Sequence, residues 1–501
     1  MIDQSEGYLL GYDVGSSSIK ASLVSIADGK VLGSATSPSQ EMPMLAVQEG
    51  WAEQDPELWW EHIVKATQQL KAAHPKALAQ TQAIGISYQM HGLVLVDKAQ
   101  QVLRPSIIWC DSRAVSIGRK AFDALGKDYS LGHLLNSPGN FTASKLRWVK
   151  ENEPDLYQRI HKVMLPGDFI AMKLSGEICT TVSGLSEGIM WDFREQSLAV
   201  QLLDHYGISQ DYIPEVVPTF AEQGRVSSQI ADELGLPVGT PIAYRAGDQP
   251  NNALSLNVLQ PGEVATTAGT SGVIYGVSDQ LDYDPQSRVN TFAHVNYSKE
   301  QPRYGILACV NGTGIQNSWL KNNIMGAHAD YEKMNQLAAD VPIGSAGLSV
   351  LPFGNGAERT LANAEVDAHI HGLQFNTHSQ AHVLRAAQEG IVFALKYSFD
   401  IMQAMGMQIN KVKAGKANMF LSPIFREAFA NVTGAALELY NTDGAVGAAR
   451  GAGVGAGIYS GFEEAFSALE LVGEVQPEAD KQLAYGEAYT QWLHLLQQHL
   501  G

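Results

Sequence analysis

The chain has 501 residues, 45% hydrophobic and 17% charged, a composition too apolar for disorder and typical of a folded globular protein. That length exceeds one hydrophobic core, so two domains are expected. Its 34 basic residues are outnumbered by 52 acidic ones, and the net charge of −18 disfavours nucleic acid as a partner.

Cys110, Cys179 and Cys309 are widely spaced and odd in number, which indicates neither a disulfide framework nor a metal knuckle. The opening MIDQSEGYLL carries acids where a secretory leader needs a basic start. No apolar run approaches the roughly 18 residues of a membrane span. A cytoplasmic protein with no membrane partner is expected.

In chain order, residues 8–14 read as a strand, a serine turn follows, and 19–26 read as its partner. Asp28-Gly29 signals a hairpin into a third strand near Val31–Ala35. Asp55-Pro56 opens a helix whose Trp59, Ile63, Ala66 and Leu70 share one face. AIGISYQMHGLVLV returns to strand character and breaks at Gln89–Gly92. Residues 142–240 alternate helical stretches with Pro/Gly punctuation, and Leu236–Pro241 is a rigid connector into the apolar IAYRAGD. The second half restarts near Glu263, and helix signals dominate 379–406 and 422–460. The boundary falls near residue 255, giving domains of 1–255 and 256–501.

One turn is written twice, about half the molecule apart, as GYDVGSSSIKASLV and EVATTAGTSGVIYGVS. Aligning Gly15 with Gly269 sets Ser16-Ser17 against Thr270-Ser271. Each copy joins two β-rich runs through residues too small to block approach to backbone N–H groups and hydroxyls. Phosphate oxygens want such fixed donors without bulk. Two facing copies imply a duplicated fold with a nucleotide in the cleft, and the three strands, helix and further strand of the first half fit an α/β unit of the ribonuclease-H or actin type. A surface hairpin that merely contains serines is the plainer reading of the first copy, and the second copy weakens it. Asp13, at the end of its strand, would offer carboxylate oxygen to Mg²⁺ or its waters. In so acidic a protein a nucleotide needs local donors and a divalent ion.

Asp248, in Gly247-Asp248-Gln249, ends a strand where α/β sheets bind ligands, and would serve as a general base. It also reads as a helix N-cap before Pro250, and the two roles are compatible. In Gln89-Met90-His91-Gly92 the amide and imidazole would hydrogen-bond a polyol while Met90 covers its carbon face. A satisfied histidine at a strand end is the alternative. Gly451–Ala456 matches a loose dinucleotide pattern, but AVGAAR before it reads as helix, so close packing through small residues explains it better. His369 and His371 have no further His, Cys or carboxylate cluster in the sequence beside them and read as a strand or turn pair. There is no G-x-x-x-x-G-K-[ST] loop and no protein-kinase motif.

Taken together, GYDVGSSSIK, WAEQDPELWW, IGISYQMHG, IIWCDSR, TASKLRWV, MLPGDFI, AGDQPNNA, TTAGTSG and LPFGNGAERT resemble, in order, the blocks of the FGGY family of carbohydrate kinases. The resemblance runs from about residue 8 to about 460 and implies two ribonuclease-H-like domains of the actin/hexokinase-type ATPase fold around a central cleft. QMHG and MLPGDFIAMKLSGE are most similar to the family's xylulokinases. The resemblance implies Asp248 as catalytic base and Asp13 as the acid near Mg²⁺. It implies Gly15, Ser16, Ser17 and Lys20 on the ATP phosphates from one side and Gly269, Thr270 and Ser271 from the other. Met90, His91 and Gln249 would contact the sugar, with Asp111 and Arg113 shaping that side of the cleft.

There are departures. Gln249 stands where xylulokinases usually carry Asn, as in glycerol kinases. The adenosine loop, usually a glycine run, is here Ala414-Gly415-Lys416-Ala417-Asn418. Lys416 would either clash with the purine or lie over its face. GERTP has become Glu358-Arg359-Thr360-Leu361 after Ala357. The implied reaction is ATP-dependent phosphorylation of the terminal hydroxyl of a ketopentose, D-xylulose first. Kinases of L-fuculose, L-ribulose, gluconate or glycerol are alternatives, as is a non-catalytic sugar-binding member of the fold. A homodimer is compatible with the sequence.

Overall fold

The structure, a computed structural model, describes residues 7–326 and 330–501. Positions 1–6 of the opening segment considered above lie outside that range.

Tyr8–Val14 (β1), Ile19–Ser25 (β2) and Val31–Ser37 (β3) form an antiparallel meander. Helix α1, Pro56–Ala73, follows, with Asp55 as its N-cap accepting from the Glu57 N–H at 3.0 Å. Trp59, Ile63, Ala66 and Leu70 are all buried, as their spacing predicts. Thr81–Tyr88 (β4) and Ile242–Gly247 (β5) run parallel to β1 and complete a sheet of order β5-β4-β1-β2-β3. Asp248–Ser255 (α2) leaves the end of β5. The central strands are buried on both faces, which requires helices on both sides.

The second half repeats this order. Val264–Ala268 (β6), Gly272–Ser278 (β7), Asn290–Ala293 (β8) and Tyr304–Val310 (β9) precede Gly314–Leu320 (α3). A hairpin of Ser349–Phe353 (β10) and Asp367–His371 (β11) leads to the long helix Gln380–Ala404 (α4). Lys411–Gly415 (β12), Pro423–Thr433 (α5) and Ala436–Tyr440 (β13) follow. Gly444–Gly455 (α6), Leu471–Val475 (β14) and Ala479–Leu500 (α7) close the chain. The sheet order is β8-β9-β7-β6-β12-β13-β14. Its core β9-β7-β6 is antiparallel, with β12 and β13 parallel, so it superposes in logic on β3-β2-β1-β4-β5. This is the two-domain actin/hexokinase-type α/β fold, with β8 and β14 added at the edges.

The expected helix over 422–460 needs correction. Gly434, at φ 71°, ends α5, and ALELY forms β13, burying Leu437 and Leu439 on one side. A five-residue alternation between two helices is too short to break the helical signal around it.

The Gly/Ala-rich run is helix α6, which packs on the first sheet although it belongs to the second half of the sequence. A Cβ on Gly11 or Gly85 would come within 1.8 Å of the Ala445 carbonyl oxygen or 1.9 Å of that of Ala448. Only glycine allows a helix backbone this close to a strand. The two halves are thereby joined through backbone contact behind the cleft.

Candidate active site

A cleft of 600 Å³ lies between the halves, and both repeated turns reach it. On the first wall the Gly15 N–H donates to the Ser18 carbonyl at 3.1 Å, closing the β1–β2 turn so that Ser16–Ser18 face the cleft. The Gln54 side chain donates to the Ser16 carbonyl at 2.7 Å and is itself oriented by the Trp59 indole at 3.1 Å. Of the second turn, Gly269–Ser271, only Ser271 lines this cleft, beside Val273, Asn290, Leu307 and Cys309 of the same wall. Gly269 and Thr270 line a second cavity of 460 Å³ on the other side of the same turn, beside Asn317, Asn335 and Asn418. The β6–β7 turn is therefore a partition between two spaces. The Gly314 N–H at the start of α3 donates to the Gly269 carbonyl at 2.9 Å and fixes it.

Asp13 accepts from the Ser87 hydroxyl at 2.8 Å, and β-register places Lys20 directly across from it. Lys20 pairs at 2.5 Å with Asp443, whose other oxygen caps α6 through the Val446 N–H. Gly444, the first residue of α6, has no side chain because a Cβ there would lie 2.3 Å from an Asp13 oxygen. Burial pushes the Asp13 carboxyl above the usual range; Asp443 adds to the rise, while Ser87 and Lys20 oppose it.

Asp248 faces the same cleft from the end of β5. Gly247, not Asp248, is the N-cap of α2, and Asp248 is the first helical residue. The capping expectation is corrected, and the carboxylate is left for other work. Burial, and secondly the charge of Asp13, raise its pKa to about 7, against which Gln249 hydrogen bonds act weakly. A carboxylate tuned near neutrality suits a general base.

Met90 and His91 line the cleft beside Gln249. His91 holds a left-handed φ of 62°, a strained backbone for a residue with a side chain. Two partners hold it there. Its Nδ1–H donates to the Glu187 carbonyl at 2.8 Å, and its own carbonyl accepts from Lys145 Nζ at 2.9 Å. Burial and the Lys145 charge lower the His91 pKa to about 3, so the ring is neutral and Nε2 keeps a lone pair for a hydroxyl. Lys145 is fully buried and also donates to the Ile108 carbonyl at 2.9 Å; burial brings its own pKa down to about 7. Lys145→Met should raise the KM for sugar about tenfold with a smaller change in kcat, because two carbonyls lose their donor and the His91 loop relaxes. Steady-state kinetics check this; an unchanged KM would remove Lys145 from the site's support.

Asp111 and Arg113 are placed elsewhere. Their carboxylate and guanidinium meet at 2.6 Å in a buried network in which Arg113 also pairs with Glu53 at 2.6 Å and stacks 3.8 Å from the Trp51 ring. Asp111 further accepts from the Ala52 N–H at 2.6 Å. With their polar atoms so engaged, they brace the loop that carries Trp109 into the cleft and do not line it themselves. Of the loop Ala414–Asn418, only Asn418 lines the second cavity; Gly415, Lys416 and Ala417 do not. Lys416 is exposed.

Reading the sequence missed Lys145, Glu187, Asp443, Trp109 and Cys309. Glu187 is wholly buried next to Gly247, and burial pushes its carboxyl well above the usual carboxylate range, with the nearby charge of Asp248 adding to the rise. Cys309 lines the cleft opposite, its thiol pushed by burial up to about 12 and so kept protonated.

This arrangement, two small-residue turns and a neutralised-range carboxylate around one cleft in a duplicated fold, has known counterparts. Residues 8–255 match the FGGY family of carbohydrate kinases, N-terminal domain, and 264–456 match its C-terminal domain. The chain belongs to the FGGY family of carbohydrate kinases and is a sugar kinase. It is 27% identical to the xylulose kinase of Escherichia coli (strain K12) over 505 aligned residues, covering 98% of this chain and 99% of that one. Its fold matches the xylulose kinase from Rhodospirillum rubrum with a TM-score of 0.88 at 26% identity, over 98% of each chain. The gluconate kinase from Lactobacillus acidophilus matches in fold with a TM-score of 0.90 at 21% identity, over 99% of this chain and 98% of that one.

Proposed function

We propose that the protein transfers the γ-phosphoryl group of ATP to the terminal primary hydroxyl of a ketopentose, D-xylulose, giving D-xylulose 5-phosphate. The observation that carries this reading is that Asp248, with a pKa near 7, faces the same cleft as both repeated turns. Asp248 orients the hydroxyl and accepts its proton as the bond to phosphorus forms. Gly15, Ser16, Ser17 and Lys20 meet the phosphates from the first domain, residues 1–255, and Gly269, Thr270 and Ser271 from the second, 256–501. The adenosine lies in the 460 Å³ cavity against Asn418, and Gly415, Lys416 and Ala417, which precede Asn418 in the chain, approach it on binding. His91 Nε2 and the Gln249 amide take sugar hydroxyls, and Met90 covers carbon.

The charge of Asp13 raises Asp248, so two carboxylates share the cleft, which is the oxygen donor set that a hard divalent ion takes. Mg²⁺, when bound, offsets phosphate charge, and Asp13 would hold it directly or through water. Alignment and charge neutralisation supply most of the acceleration for so loose a transition state. Such a reaction fits a cytoplasmic enzyme; no helix among the described residues is long and apolar enough to cross a membrane.

Support for xylulose comes from the QMHG block and from relatives that are xylulose kinases. Gln249 favours a second reading, a sibling kinase for gluconate, glycerol, L-ribulose or L-fuculose. An ADP-release assay over these sugars should give D-xylulose the highest kcat/KM by at least about tenfold. A larger value for another sugar moves the assignment to that sugar. Tight sugar binding with no turnover on any of them would favour a non-catalytic sugar binder.

A further inference from the structure

We infer that His369, His371 and His499 form a binding site for a divalent transition-metal ion, of the Zn²⁺ class, that fastens the C-terminal helix to the β10–β11 hairpin. Their ring nitrogens lie within 4.8 Å of one another. This corrects the reading of His369 and His371 as a pair without a cluster: the third histidine is 128 residues further along the chain.

Both backbones are fixed before any ion is considered. His369 and His371 are two apart on β11 and so point to one side of it. On α7, Trp492 and Leu496 are fully buried, and the Trp492 indole donates to the Val350 carbonyl of β10 at 2.8 Å. Core packing therefore sets the helix against the hairpin, and His499, one turn beyond Leu496, arrives over the two strand histidines. His369 Nε2–H donates to the Val366 carbonyl at 2.7 Å, which fixes the tautomer that leaves Nδ1 with a lone pair. Such a carbonyl acceptor is the usual orienting partner of a metal-bound imidazole.

The spacing suits an ion. His371 Nε2 and His499 Nε2 are 3.2 Å apart. Two nitrogens each about 2.0–2.1 Å from one tetrahedral centre stand about 3.3–3.4 Å apart. His499 also stacks on His369 with ring centroids 4.1 Å apart, and the third nitrogen lies within 4.8 Å of the other two. Three neutral imidazoles with water as fourth ligand make a borderline-soft set that takes Zn²⁺, Co²⁺ or Ni²⁺ in preference to Mg²⁺, which wants oxygen. The ion serving phosphoryl transfer would not compete for it.

The test uses the full chain, stripped with chelator and dialysed, without ATP or sugar. Zn²⁺ titrated in a calorimeter should bind one per chain, and Co²⁺ should give visible d–d bands of tetrahedral intensity. His371→Ala and His499→Ala should each weaken Zn²⁺ at least about tenfold. Zn²⁺ should raise the Tm of the parent by about 2 °C or more and leave that of the His371→Ala/His499→Ala double variant unmoved. Absence of a one-per-chain Zn²⁺ isotherm in the parent, or the same isotherm in the double variant, would overturn the site.

Discussion

Asp248→Asn should lower kcat by about 10³-fold or more while nucleotide affinity stays within a few-fold of the parent. The substitution keeps shape and removes the carboxylate assigned to accept the hydroxyl proton near neutral pH. The sign of the pH effect follows from the raised pKa. Below about 7 the Asp248 carboxyl is protonated and cannot act as base, so kcat/KM for the sugar should rise with pH through that value and then level. Asp13 shares responsibility for this, since its charge is the second cause of the rise. Asp13→Asn should therefore shift the acid limb to lower pH even as it depresses the maximum. Kinetics from pH 5.5 to about 9 with both substrates subsaturating would read both effects. Near-parental turnover in Asp248→Asn would refute the assignment of the base.

The largest loss of stability is expected at a site that touches no substrate. Arg245 on β5 and Asp168 are both buried, and Arg245 Nε stands 2.9 Å from the carboxylate. Arg245 also donates to the Cys179 carbonyl at 2.9 Å, and Asp168 accepts from the Leu165 N–H at 3.1 Å. Asp168→Ala strands a guanidinium in the interior, at a cost of about 3–5 kcal/mol. Urea unfolding of the variant should show its first transition at a much lower midpoint. The double variant Asp168→Leu/Arg245→Met should recover a large part of the loss, because it removes both charges together. A midpoint within error of the parent in Asp168→Ala would show that the pair contributes nothing. Since Arg245 lies on β5 three residues before Asp248, which opens α2 directly after that strand, the variant should also lose turnover at temperatures where it is still folded.

Local signals in the sequence carried the fold a long way. The two turns were visible because strand runs and small residues occur together within about fifteen residues, and α1 because four apolar residues fell on one helical face. α6 was separable from a dinucleotide loop because helix formers precede its glycines, and the structure shows what those glycines make room for: the Ala243 carbonyl of β5 at Gly455, the Tyr244 ring at Gly451 and Ser255 at Gly447. β13 was hidden because its five residues sit between two helices. In the site, Asp13 and Asp248 were legible since each ends a strand beside a turn. Lys145 was not, because a lysine in TASKLRWV looks solvated until His91, 54 residues away, takes its ammonium. Asp443 gains meaning only through Lys20, 423 positions apart. Asp111 and Arg113 looked like cleft residues for their nearness to Trp109, yet a buried network engages them. Local patterns report element type and turn chemistry, whereas long-range partners decide which polar side chain is support and which is exposed to ligand.

The central claim is that both turns hold one triphosphate with Asp248 above the acceptor alcohol. A crystal structure with a non-hydrolysable ATP analogue and D-xylulose tests it most directly. The account predicts the β- and γ-phosphates between Ser16–Ser17 and Gly269–Ser271, with an Asp248 oxygen about 2.6–3.2 Å from the terminal hydroxyl. Phosphates bound by one turn alone, or a terminal hydroxyl beyond reach of Asp248, would contradict it.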